Sequence, residues 1–266
     1  MSTTVRRLRA AGELGRVRLS WQGDGYRPLV DHYAVYATPP GGAESLIGKT
    51  VYANFVHSGL GGAARTFRYR VVTVDAAGDR SRPSAPVVGS SVESVTVAGR
   101  PIATVGAFDH KSLELALAPN GYAQFPTRYP TGVDFPATDW PYLHPGPADA
   151  WAGRKAHRFT LRFRLDAAPT ADPWLAVWLI DTHATNPGAV AIGVNGAPVR
   201  EVALEKGATR GSLEGDATVP GTPLKPSYVE LPLPRAALVA GENTLTIDKN
   251  AGSWHAYDAI GIFQLP

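Results

Sequence analysis

The sequence predicts an all-β protein built as two sandwich modules in tandem, and three observations carry that prediction. Short segments such as Arg16–Trp21, Asp31–Tyr36 and Phe67–Val74 alternate apolar with polar residues, as a strand with one buried face must. Glycine (28) and proline (23) recur along the 266 residues too often for long helices, at a spacing that suits short strands joined by turns. A composition of 44% hydrophobic and 18% charged residues can bury a core, and the length allows one large or two ordinary domains. The pattern breaks around Val88–Glu93 and restarts at Val95, which places the modules at residues 1–92 and 93–266.

Charge and composition exclude whole classes of function. The 26 Lys+Arg against 23 Asp+Glu leave a net +3, divided as +6 over residues 1–92 and −3 over the remainder. There is no Lys/Arg run or basic helix, so nucleic acid is not an expected partner. With no cysteine, disulfides, zinc–thiolate sites, iron–sulfur clusters and cysteine nucleophiles are excluded. No apolar run approaches the roughly 20 residues of a membrane helix, so no membrane partner is expected. Met1–Val5 lacks a hydrophobic signal core, and the chain is expected to be part of something longer.

In the first module, Leu19-Ser20-Trp21, Val30–Tyr36, Leu60 and Tyr69–Gly78 followed by Ser81–Ala85 occur in order. This succession resembles a fibronectin type III domain, an immunoglobulin-like sandwich. The resemblance implies that Trp21 packs the core and that an aromatic hydroxyl after Leu60 ties down the corner before the sixth strand. The matching position is Phe67, so that tie is expected to be missing. Gly59-Leu-Gly61-Gly-Ala-Ala64 fits a relaxed dinucleotide fingerprint, but a strand rather than a helix follows it, which makes it a hairpin-type loop. Gly42 to Thr50 nearly spells a phosphate loop but has five residues between its glycines where the motif needs about four.

In the second module Ile102–Phe108 and Ser112–Leu117 read as strands. Phe125 to Trp151 is crowded with prolines and aromatics, which reads as a long ordered surface loop, since proline cannot donate to a ladder. His157–Leu165 alternates, with one solvated face, whereas Trp174–Ile180 is apolar on both faces and should be central. Val190–Gly196, Tyr228–Leu231, Asn243–Ile247 and Tyr257–Phe263 complete the strands, and Pro234–Ala240 is the one plausible helical turn.

The landmarks Val105–Asp109, Trp151, Phe159–Leu165, Val194-Asn-Gly196, Thr209-Arg-Gly211, Gly241-Glu-Asn-Thr-Leu245 and Tyr257–Ile262 resemble, in that order, the C-terminal domain of family 4 polysaccharide lyases, the rhamnogalacturonan lyases. The resemblance implies a galactose-binding-like jelly roll that acts as a carbohydrate-binding module. It further implies a preceding fibronectin-type-III-like domain and, before that, a catalytic domain with no counterpart here, so no catalytic residue carries over. A bacterial, extracellular (secreted) setting follows from it, with a pectic or other plant polysaccharide or oligosaccharide as partner, a catalytic domain in the parent protein, and a monomeric chain.

Sugars are held by flat aromatic faces together with charged or amide groups that bond hydroxyls or pair with uronates. Lys249, Asn250, Trp254 and His255 lie between two expected strands and read as a strand-connecting loop, the place where function concentrates. The competing structural reading has Trp254 plugging the base of the sandwich and Lys249 solvated. Asp181 and His183 leave the central strand, while Arg210 precedes Tyr228, so all four are candidates for the same end. Trp140, Tyr142 and His144 form a second aromatic patch, with packing of the proline-rich loop as the favoured reading. Asp109, Asp248 and Asp258 are candidate ligands of a structural calcium (Ca2+), which wants several carboxylate and carbonyl oxygens. An enzymatic alternative, a lyase or glycosidase, would use His183, His255, Tyr228 or Arg210, with a base to abstract a proton and a cation to neutralise the uronate. A spacer or adhesion role is the third reading.

Overall fold

The computed structural model describes residues 4–23, 30–116, 128–129, 140–209 and 224–266, and the chain divides into two compact units, Met1–Val97 and Ala98–Pro266. Both are β-sandwiches, antiparallel in every ladder but one short parallel pair in unit 2.

Unit 1 holds β1 (Arg6–Glu13), β2 (Arg16–Gln22), β3 (Val30–Thr38), β4 (Ser45–Thr50), β5 (Asn54–His57), β6 (Thr66–Asp75) and β7 (Val87–Ser90). They form a β1-β2-β5 sheet and a β4-β3-β6-β7 sheet, the arrangement of a fibronectin-type-III-like sandwich. Alternation decides which residues meet between the sheets: Val17, Leu19 and Trp21 from β2 pack with Tyr33 and Val35 from β3 and Tyr69 and Val71 from β6. Trp21 meets Tyr33 edge to face at 5.4 Å. The hydroxyl tie expected to be missing at Phe67 is supplied two residues later, on the same face, by Tyr69, whose hydroxyl lies 3.0 Å from His57 Nδ1 on β5. Phe67 packs its ring edge-on against the same imidazole.

Unit 2 holds β8 (Arg100–Gly106), β9 (Arg128–Tyr129), β10 (Leu143–Pro145), β11 (His157–Leu165), β12 (Trp174–Thr182), β13 (Ala189–Val194), β14 (Ala197–Ala203), β15 (Ser227–Pro232), β16 (Gly241–Lys249) and β17 (Trp254–Gln264). One sheet runs β10-β17-β12-β15, with β8 also pairing along β17, and the other runs β14-β13-β16-β11-β9. This is a jelly-roll-like sandwich, with Leu175, Val177, Leu179, Tyr257, Ile260 and Ile262 of the first sheet packed against Phe159, Leu161, Ile192, Leu245 and Ile247 of the second. β12 is central, flanked by β17 and β15, which is why both of its faces are apolar. β11 buries alternate residues and turns Arg158 outward, where it pairs with Asp248 across the ladder. Asn195-Gly196, both at positive φ (50° and 82°), closes the β13–β14 hairpin as a two-residue turn. Pro234–Ala240 contributes a single tight turn at Arg235–Ala237.

Three segments depart from the sequence reading. Val95–Ala98, where the strand pattern was expected to restart, is a short helical turn, so Pro234–Ala240 is not the one such turn. Ser112–Ala116 is not a strand: Leu115 N–H bonds back to Ser112 O, and beyond that turn only Ala116 bridges to Pro141. Leucines at every second position imitate strand alternation, yet Leu115 is buried while Leu113 is 82% exposed. The proline-rich stretch is not all surface loop either. Leu143–Pro145 enters the sheet against Trp254–Ala256, and Pro145 takes the last rung, where its missing donor matters least. Residues 125–127 and 130–139 of that stretch lie outside the described residues.

The Gly241-x-Asn243-x-Leu245 pattern has a mechanical explanation. Buried Asn243 donates to Val239 O and Gly241 O, and its Oδ1 accepts from Val239 N–H and from Asn195 Nδ2, while Asn195 Oδ1 accepts Thr244 N–H. One amide pair thus latches the approach to β16 onto the β13–β14 turn. Asn243→Ala leaves several buried groups without partners, so chemical denaturation should show the unit 2 transition weakened by about 2–4 kcal/mol.

Candidate functional site

The residues singled out from the sequence around β16 and β17 do come together at one end of unit 2, but most of them lie inside it. The two strands extend further than expected, to Lys249 and from Trp254, so the connecting loop shrinks to Asn250–Ser253. Trp254 is 5% exposed and packs on Leu143, Ile180 and Ala256. His255, Asp181 and Lys249 are buried, His183 is half-buried and Asn250 is exposed. Arg210 lies outside the described residues. Trp140 and His144 are buried and Tyr142 half-buried.

Asp181, at the exit of β12, accepts Ala208 N–H (2.8 Å) and the Thr209 hydroxyl (2.9 Å), which pins the segment after β14. His183 Nδ1 accepts N–H bonds from Thr185 and Asn186 and so caps the next loop, with the ring proton on Nε2. That loop meets Asn250–Ser253 backbone to backbone. A Cβ on Gly188 would fall 2.1 Å from Ala251 O, and one on Gly252, at φ 78°, would fall 2.5 Å from Gly188 Cα.

Beneath these loops lies a dry, basic base. His144 stacks on Phe159 at 3.8 Å between ring centroids. Its Nε2 donates to His157 O at 3.0 Å, so its Nδ1 accepts the Tyr257 hydroxyl proton at 2.7 Å. Lys249 bonds Pro187 O. Burial pushes the Lys249 ammonium down to about 7 and drives His144 and His255 well below the ordinary imidazole value; the His157 backbone bond opposes this at His144, while Lys249 and His157 add to it there and His144 and Lys249 add to it at His255. His255 Nδ1 is buried without a hydrogen-bond partner, at the edge of a void of about 10 Å³ lined by apolar side chains.

The three carboxylates considered for calcium do not form one set. Asp248 is on the β16 sheet, paired with Arg158, and Asp258 is on the β17 sheet. Among the described residues no group of three acidic or imidazole side chains has the geometry to hold a metal. Asp258 instead receives backbone N–H groups of the Asp109–Lys111 loop, and burial pushes its carboxyl up to about 7 against those bonds.

The open feature is a cleft of about 470 Å³ along the edge where β14 and β15, the end strands of the two sheets among the described residues, approach each other. Arg200, Glu201, Glu205, Ser227, Tyr228 and Glu230 supply its polar lining, with Leu204 and Val229 as its apolar floor. Leu204 and Val229 also roof the small void that His255 borders. Tyr228 is the sequence candidate that reaches this cleft. Its ring is fixed edge-on to Trp178 at 4.9 Å, and its hydroxyl lies 2.8 Å from His110 Nε2. His110 is held in turn by stacking on Trp178. Glu230 accepts the Trp178 indole N–H at 3.3 Å. The three glutamates and Arg200 were not singled out from sequence, since isolated charges on or beside an exposed strand look like any solvated face.

No family profile matches the chain, and no curated protein matches it by sequence. Among solved structures it is similar to a β-1,2-glucanase from Parabacteroides distasonis, at 17% identity over 34% of this chain and 12% of that one, with TM-score 0.29. It is also similar to an Fn3-like protein from Clostridium thermocellum, at 19% identity over 34% and 92% of the two chains, with TM-score 0.25. A family 35 carbohydrate binding module from an environmental isolate shares 13% identity over 40% and 69%, with TM-score 0.27. The chain thus spans about an eighth of the glucanase's length. The sandwich assignments stand on strand order and register.

The buried lysine sets a pH dependence. An unfolded chain keeps a proton on this amine up to about 10.5 that the folded chain releases near 7, so unit 2 gains stability as pH rises through that window. Thermal unfolding followed from pH 7 towards 10 should show this rise in the parent, and Lys249→Met should flatten it. His144 and His255 act with the same sign below their ordinary value of 6.5, while Asp258 acts oppositely between 3.8 and about 7.

Proposed function

We propose that unit 2 is a noncatalytic carbohydrate-binding module whose β14/β15 cleft seats a stretch of polysaccharide, with unit 1 as a spacer. The observation that carries this reading is the cleft itself. Its volume of about 470 Å³ falls within the roughly 300–1,000 Å³ of small-ligand sites, and it combines one immobilised aromatic ring with several hydroxyl-binding groups. A ring already fixed by Trp178 and His110 loses little freedom when a sugar stacks on it.

The charges in the cleft refine the ligand. Three carboxylates against a single guanidinium accept protons from sugar hydroxyls and repel a uronate, so the cleft suits a neutral segment. The resemblance of the sequence to the rhamnogalacturonan lyase C-terminal domain supports a pectic or related plant polysaccharide, with unit 2 acting outside the cell beside a catalytic domain of the same polypeptide.

Affinity electrophoresis of the whole chain against neutral galactan, arabinan and xylan tests the proposal. Tyr228→Ala should weaken glycan binding by about tenfold, the scale of one aromatic contact, and Tyr228→Phe should retain it. Unchanged retention with Tyr228→Ala removes the cleft. Release of unsaturated products from pectic polymers by the purified chain would replace the binding reading with a lyase.

A further inference from the structure

The turn joining β10 to β11 presents a feature that neither the cleft nor the core accounts for. Of the six tryptophans in the chain, Trp151 alone is exposed, at 79%, while the others are buried or half-buried. Its turn is also stiff. The carboxylate of buried Asp149 accepts Trp151 N–H at 2.9 Å and Ala152 N–H at 3.4 Å, while Asp149 O accepts Arg154 N–H at 2.9 Å. Ala152 is sunk into the main core of unit 2, and Ala148 N–H bonds Gly252 O in the β16–β17 loop. A large indole is therefore held outward on a turn whose own small residue is the anchor, which spends no burial energy on the ring.

Its surroundings indicate what the ring is for. Ala150, Gly153 and Ala156 are small and exposed, so none of these three crowds the indole. Arg154 and Lys155 follow within the same turn, both exposed, and among the described residues neither has an ion-pair partner. Arg154 sits at φ 56° directly after Gly153 at φ 75°, two left-handed residues in succession that set where the cations leave the turn. Exposed Asn250 follows Lys249, whose cross-strand partner His157 lies two residues beyond Lys155, so its amide belongs to the same rim.

We infer that the Trp151 turn is a second glycan-contact surface and that it takes a uronate-bearing sugar, stacking the sugar ring on the indole while Arg154 and Lys155 pair with its carboxylate. A lone ring with two cations is too small an apolar area to seat a protein or a bilayer, but it matches one sugar residue, and the uncompensated positive charge selects an acidic one. This inference rests on the reading that unit 2 binds glycans, but it uses no residue of the cleft. The two surfaces divide the polymer by charge, the cleft taking neutral sugars and the turn acidic ones.

Titration calorimetry of the whole chain with polygalacturonate oligosaccharides, their fully methyl-esterified counterparts and phosphatidylserine vesicles tests it. The parent should bind polygalacturonate, more weakly as salt rises, and Trp151→Ala should lose about tenfold or more in affinity. Trp151→Phe should keep part of it. Replacing Arg154 and Lys155 together by alanine should erase the preference for polygalacturonate over the ester. Binding that survives Trp151→Ala, equal binding of acid and ester, or binding of vesicles alone overturns the inference. Loss of neutral-glycan binding with polygalacturonate binding intact strikes the cleft and leaves the turn standing.

Discussion

Unit 2 is organised by the burial of one strand. β17 pairs with β8 and β10 on one side and β12 on the other, and from Trp254 to Phe263 every residue is buried. Although His255 Nδ1 and Asp258 Oδ2 are left without partners among the described residues, a strand covered on both faces can satisfy its polar side chains only from inside, because none can reach water. Tyr257 does so through His144, which draws β10 into the sheet. Asp258 does so through the backbone of the Asp109–Lys111 loop, which draws that loop over Trp178 and so positions His110 against Tyr228. The wall of the cleft is thus a consequence of where β17 put its carboxylate.

The architecture was legible because both halves of the signal are local. Alternation in β2, β3 and β6, doubly apolar β12 and the Asn195-Gly196 turn each specify their own geometry within a few residues. The failures were local as well. Leucines at 113, 115 and 117 have the right period, but Ser112–Leu115 closes into a turn. Leu143–Pro145 carries a proline yet joins a sheet, because a three-residue strand can place proline at its end.

The site was less legible, because a sequence shows which residues are aromatic or charged but not which way they face. Lys249–His255 has the Gly-Ser composition of a loop, yet both strands run into it and carry Lys249, Trp254 and His255 indoors. In the other direction, Trp151 looked like one more landmark in a run of aromatics. Only Asp149, reaching over two backbone amides, and Ala152, anchored in the core, make it a platform. The cleft depends on two strands far apart in sequence ending side by side, which no window of residues encodes.

The flank of unit 2 where the cleft is proposed to bind also carries a hazard. β14 and β15 each end their sheet among the described residues, and an end strand is the kind of template on which another chain could add a strand. Arg200 and Glu201 on one edge and Glu230 on the other place charge along both rims. An incoming strand would have to desolvate these groups, whereas a polysaccharide meets them with hydroxyls. The charged side chains that line the proposed cleft would therefore also act as gatekeepers against self-association.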